Sequence, residues 1–149
     1  MTASGGEQPA IAGRILDGRH VLPVRVYYED TDFSGIVYHA NYLKFCERGR
    51  SDLLRLLGIA HRELDRSRLA FAVRRMTCDF LKPTRIDDLL EVVTWPVEVG
   101  GARLELGQSV QRGDATLFTA EITLALIDAS GRPRRLPEAL AVSLGGLMR

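Results

Sequence analysis

One segment constrains this chain more than any other. From His39 to about Leu57 the apolar residues Tyr42, Phe45, Cys46, Gly49, Leu53 and Leu56 recur at steps of three and four, so they share one face of a helix. At about 1.5 Å per residue that helix is nearly 30 Å long, enough to span a small domain. Gly58 stands where a C-terminal cap glycine belongs. Gly49, in mid-helix, is costly by helix propensity, and a strand or partner helix passing close by would explain it. Almost everything else in the chain has the period of two that marks strands. A single long helix among strands must bury its face on a sheet, which sets the class as α+β.

The strands follow from alternation. Val24, Val26 and Tyr28 alternate with Arg25, Tyr27 and Glu29, predicting a strand over about Leu22–Glu29 with Pro23 at an edge or entry position. After the helix, His61–Arg68 reads as a short helical turn. Four strands are then predicted: Phe71–Leu81, Leu89–Glu98, Ala102–Gln111 and Ala115–Asp128. Gly100-Gly101 reads as a hairpin turn, so the four form an antiparallel meander. Leu89–Glu98 is apolar on both faces, as a central strand would be. Pro137 opens a closing helix to about Leu144, stopped by Gly145-Gly146. The first thirteen residues, small and polar, read as a disordered arm before a single domain over residues 14–149.

Composition excludes several functions. With 20 Lys+Arg against 19 Asp+Glu the net charge is +1, without the clustered basic excess of a nucleic-acid binder. No apolar run reaches the ~20 residues of a membrane span, and the N-terminus lacks the pattern of a signal peptide. Cys46 and Cys78 have neither metal-ligand nor CxxC spacing, which points to a reducing, cytoplasmic setting. Three histidines without ligand spacing (His20, His39 and His61) predict no metal site.

The chemistry gathers between strand and helix, in Glu29-Asp30-Thr31-Asp32-Phe33-Ser34-Gly35 and the Tyr38-His39 that follows. A carboxylate before a helix N-terminus suits attack on a carbonyl. It can act as nucleophile or base, while free backbone N–H groups hold the oxyanion. By spacing alone Asp32 serves equally as a cap or turn residue, and His39 as a packing histidine. Asp30 and Glu29 are rival carboxylates nearer the strand. Tyr38, Asn41 and Tyr42 read as packing or supporting residues, and Glu47 and Arg48 as a solvated or interface charge pair.

The run YYEDTDFSGIVYHANYLKFCERGR resembles the active-site region of hotdog-fold thioesterases of the 4-hydroxybenzoyl-CoA thioesterase class, most of all the Tol-Pal-associated acyl-CoA thioesterases. The resemblance continues through FAVRRMTCDFLKPTRIDDLLEV to RPRRLPEAL. It implies a five-stranded antiparallel sheet wrapped around the long helix, and homodimers or homotetramers with the site at the subunit interface. It puts the catalytic carboxylate on Asp32 and the oxyanion-binding N–H on His39. The implied substrate is acyl-CoA, with no cofactor. Acyl carrier protein and phospholipid-synthesis enzymes at the cytoplasmic face of the inner membrane are the implied partners, without membrane insertion. Phe33-Ser34, where relatives carry other small or apolar residues, would line the mouth of the site. For the CoA phosphates the candidates are Arg132, Arg134 and Arg135, with Lys82 and Arg85 as a second basic cluster. Two other classes fit the same residues: a hydratase or dehydratase pairing His39 with an acid, and a non-catalytic module that binds carrier or envelope proteins.

Overall fold

The long helix forms because its apolar stripe matches the helical period, and it ends up lying across a sheet. The structure, a computed structural model, describes residues 11–59 and 61–148. The helix, α1, spans His39–Leu56. It packs on strands β2 (Arg19–Arg25), β4 (Leu89–Val99) and β5 (Arg103–Arg112). Phe45, Cys46 and Leu53 are fully buried beneath it, while Leu56 is only half-buried and Leu54 takes the deeper place. Gly49 has the cause that its position suggested. A Cβ there would stand 2.9 Å from Val92 Cγ1 and 3.1 Å from Thr94 Oγ1, so β4 passes too close for a side chain.

The sheet has six antiparallel strands, one more than expected, in the order β1-β2-β4-β5-β6-β3. The extra strand, β1, is Arg14–Leu16. It pairs with the start of β2 at Arg19 to Val21 through a turn in which Asp17 and Gly18 both have positive φ. β2 therefore begins earlier than predicted and stops at Arg25, and the chain turns through a 3-10 segment at Tyr28–Asp30. Beyond Val21 one side of β2 has no partner among the described residues, and Pro23 sits there, where a missing N–H costs no ladder bond.

The meander is corrected as well. β3 (Leu69–Phe80) pairs with β6 (Ala115–Asp128), from Leu69 opposite Asp128 to Phe80 opposite Phe118. It does not pair with β4, which follows it in sequence. Only β4-β5-β6 form a meander, and β3 closes the far edge. β4 is central, but its outer face is only partly covered: Leu89 and Val97 are exposed, Val93 and Trp95 are half-buried, and Leu90, Val92 and Thr94 face α1. On β6, Phe118, Ala120, Ile122, Leu124 and Leu126 are all buried, as their alternation requires.

Two short helices complete the fold. α2 is His61–Arg66. α3 is Glu138–Leu147, capped by Pro137, and it runs through Gly145-Gly146 instead of stopping there, with Leu140 and Leu144 fully buried. Its burial against β4 outweighs the low helix propensity of two glycines. Of the expected N-terminal arm, residues 1–10 lie outside the described residues. Gly13 is buried, and its N–H donates to Asp52 Oδ2 at 2.8 Å. Asp52 Oδ2 also lies 2.7 Å from Nε2 of the fully buried His20. Burial, outweighing the Asp52 carboxylate, holds the His20 pKa below the ordinary imidazole value. Among the described residues no helix is long and apolar enough to cross a membrane.

Candidate active site

The segment between β2 and α1 folds back on itself. Asp32 N–H donates to Ile36 O at 2.9 Å, Tyr38 N–H to Asp30 O at 2.9 Å, and Thr31 bridges Val37. The reversal depends on Gly35, at φ +80, a conformation that side chains resist. Val37 is buried, and its N–H donates to Thr84 O at 2.8 Å, which ties the loop to the β3–β4 connection. Asp32 is thereby delivered at the tip of a short ladder whose other strand runs directly into α1.

The two aspartates of this loop have opposite environments. Asp30 is buried. Its Oδ1 accepts from Asn41 Nδ2 at 2.8 Å and its Oδ2 from Tyr27 N–H at 2.8 Å. Both oxygens are engaged, so Asp30 braces the first turn of α1 against the end of β2. Asp32 is exposed, and among the described residues its Oδ1 accepts from Ser34 N–H at 2.8 Å and from the Ser34 hydroxyl. These bonds, the hydroxyl first, push the Asp32 pKa below the usual carboxylate value. An ionised carboxylate oxygen is left facing outward.

The N-terminus of α1 supplies the complementary charge. Tyr38 is its N-cap residue and offers no side-chain cap. The N–H groups of His39 and Ala40 precede the first i→i−4 bond and have no acceptor within the helix, and the helix dipole adds partial positive charge there. Beneath this end lies an aromatic cluster that the sequence did not single out. Tyr42 stacks on Phe118 at 5.0 Å, Phe80 meets Phe118 edge-on at 5.0 Å, and the His39 ring stands 6.1 Å from Phe80. Phe80 and Leu81 are half-exposed, so this floor is apolar and open. The exposed His39 imidazole contacts the Tyr38 and Phe80 rings. Among the described residues no carboxylate hydrogen-bonds it. Among the described residues no group of three or more metal-ligating side chains converges.

The basic candidates separate. Arg85 Nη1 lies 3.9 Å from where a Gly35 Cβ would stand, and Arg85 bridges Ile36, so that guanidinium borders the Asp32 turn. Arg132, Arg134 and Arg135 are exposed at the far end of β6, where their segment folds back so that Arg134 N–H donates to Leu126 O at 2.8 Å. Ten residues of strand separate Phe118 from Asp128, roughly 33 Å, so within one chain these arginines do not meet Asp32. Arg134 lies 3.6 Å from Asp128. Glu47 and Arg48 make no ion pair with each other among the described residues. Adjacent helical residues point apart, and Arg48 lies over the Phe45 ring instead.

Residues 34–119 match the thioesterase superfamily, a span that opens two residues after Asp32. The acyl-CoA thioester hydrolase YbgC of Escherichia coli O157:H7 is 41% identical over 120 residues, covering 79% of this chain and 90% of that protein. The acyl-CoA thioesterase YbgC of Haemophilus influenzae is 42% identical over 115 residues, 76% of this chain and 85% of the relative. Among solved structures, a probable thioesterase from Bartonella henselae superposes with a TM-score of 0.77 at 45% identity, covering 80% of this chain and 99% of that one.

Proposed function

This chain belongs to the thioesterase superfamily, and from that premise we propose that it hydrolyses acyl-CoA to a free acid and CoA, with Asp32 as the working carboxylate. Its fold is the hotdog arrangement of that family. The observation that carries the reading is an ionised, outward-facing Asp32 held at the turn that leads into an uncapped helix N-terminus.

In this reading the thioester carbonyl oxygen takes the His39 N–H, where charge that develops during attack is stabilised by the helix end. Asp32 either attacks the carbonyl carbon, forming a mixed anhydride that water then cleaves, or removes a proton from a water that attacks instead. In both routes the C–S bond breaks and the sulfur leaves as the CoA thiolate, to be protonated. The apolar floor of Phe80 and Leu81 receives the start of the acyl group.

A homodimer completes the site. Among the described residues β3 is an edge strand with no partner on its outer side, and Val73 and Phe80 on it are half-exposed. Pairing two copies antiparallel through β3 sets the Leu69 end of one beside the Phe80 end of the other. Leu69 lies opposite Asp128, so the loop carrying Arg132, Arg134 and Arg135 in the second copy approaches the first copy's Asp32. Arg85 from one chain and this loop from the other then hold the CoA phosphates. The enzyme works in the cytoplasm, and acyl carrier protein is the alternative carrier of its substrate.

The test is thiol release from short, long and aromatic acyl-CoAs by wild type and Asp32→Asn. Turnover should fall roughly 100- to 10,000-fold in the variant, with an unchanged melting temperature. Equal turnover in the two proteins would remove Asp32 from the mechanism. A change in double-bond absorbance without free thiol would favour a hydratase instead.

A further inference from the structure

The Asp32 loop is gripped at both its ends by the connection between β3 and β4. Just past β2, Val26 N–H donates to Asp88 O at 2.9 Å, and Asp87 N–H donates to Val26 O at 2.8 Å. On the way into α1, Val37 N–H donates to Thr84 O at 2.8 Å, and Ile36 bridges Arg85. Val26, Val37 and Thr84 are all buried. The connection belongs to no helix or strand. It bends through Asp87 at φ +70, a left-handed conformation that residues with a side chain seldom adopt and that persists only where surrounding contacts hold it.

Those contacts converge on one carboxylate oxygen. Asp88 Oδ2 accepts from Thr84 Oγ1 at 2.6 Å, from Arg85 N–H at 2.9 Å and from Nη1 of Arg112, at the end of β5, at 3.1 Å. Arg112 Nη1 also donates to Pro83 O at 3.2 Å. The Thr84 hydroxyl first, then the Arg85 N–H, holds the Asp88 pKa below the ordinary carboxylate value. The two residues that precede and open the turn, Thr84 and Arg85, are the same two that reach the Asp32 loop.

We propose that Asp88 is a positioning residue for the hydrolytic site. By fixing Thr84 and Arg85 it sets where the Asp32 loop stands against the N-terminus of α1. The inference rests on Asp32 being the working carboxylate. Its leverage is large because a misplacement of ~1 Å at reacting groups costs about 100-fold in rate.

Asp88→Ala, Thr84→Val and Thr84→Ser test this by two readouts, amide hydrogen exchange and thiol release from acyl-CoA. Thr84→Val keeps the buried shape and removes only the hydroxyl, so the test does not depend on Asp88→Ala folding well. In both of these variants exchange at the Val37 amide should quicken roughly tenfold or more, with the Leu53 amide unchanged. Their kcat should fall by about 10- to 100-fold, and Thr84→Ser should restore both readouts. Val37 exchange as slow as in wild type would overturn the proposal, and so would an equal rise at Val37 and Leu53, which is general destabilisation. A change in KM alone, as from a displaced phosphate-binding Arg85, would overturn it too. Wild-type turnover in Asp32→Asn would remove the hydrolytic reading instead, and exchange at Val37 would then decide by itself whether Asp88 holds the loop.

Discussion

Asp30 and Asp32 are two residues apart, yet the fold gives them unrelated tasks. Asp30 spends both oxygens on Asn41 and Tyr27 in a buried brace. Asp32 leaves one oxygen free at the surface, with Ser34 on the other. The difference teaches that exposure and unspent hydrogen-bonding capacity, more than charge or proximity, separate a carboxylate available for chemistry from a structural one. The same contrast recurs along α1. Its N-terminus ends in open N–H groups, while its middle is closed over Gly49, beside which Gln108 Nε2 donates to Cys46 O.

Three substitutions sharpen or break the contrast. Leu53→Ala sets the scale for the buried side. Leu53 is 1% exposed, and the change should cost about 2–5 kcal/mol in chemical denaturation. A value near zero would mean that the helix face is misassigned. Asp30→Asn comes next, at about 1–3 kcal/mol. An amide nitrogen would face either the Asn41 amide or the Tyr27 N–H, donor against donor. Turnover should fall far less than in Asp32→Asn, and matching losses in the two variants would erase the distinction between them.

Ser34→Ala is the smallest. The hydroxyl bond is the largest cause of the lowered Asp32 pKa, so its removal should raise that pKa toward the ordinary value. Under the proposed mechanism activity requires ionised Asp32 and is lost as pH falls through its pKa. The acid limb of kcat/KM should therefore move to higher pH in the variant, with less than about a tenfold loss at neutrality. An acid limb that stays in place would show that Ser34 does not hold the working carboxylate.

Much of this was legible in the sequence, because much of it is local. The start of α1 at His39 follows from side chains three and four residues apart, and the β5 and β6 strands from alternation. The position of Asp32 before the helix is likewise a matter of neighbours in the chain. β1 was too short to show a period. The run through Gly145-Gly146 was hidden because only burial of Leu140 and Leu144 holds that helix together.

By itself, then, the sequence determined the long helix, its buried face and most of the strands, since each rests on spacing within a few residues. Tertiary structure alone decided that β3 pairs with β6, because any of the four strands could satisfy a neighbour's ladder. It also decided which charges meet. Arg85 was brought to the Asp32 turn, Arg132, Arg134 and Arg135 were carried to the far end of β6, and Arg112 was set against Asp88. Proximity in space between residues distant in sequence is fixed by packing, and local pattern does not encode it.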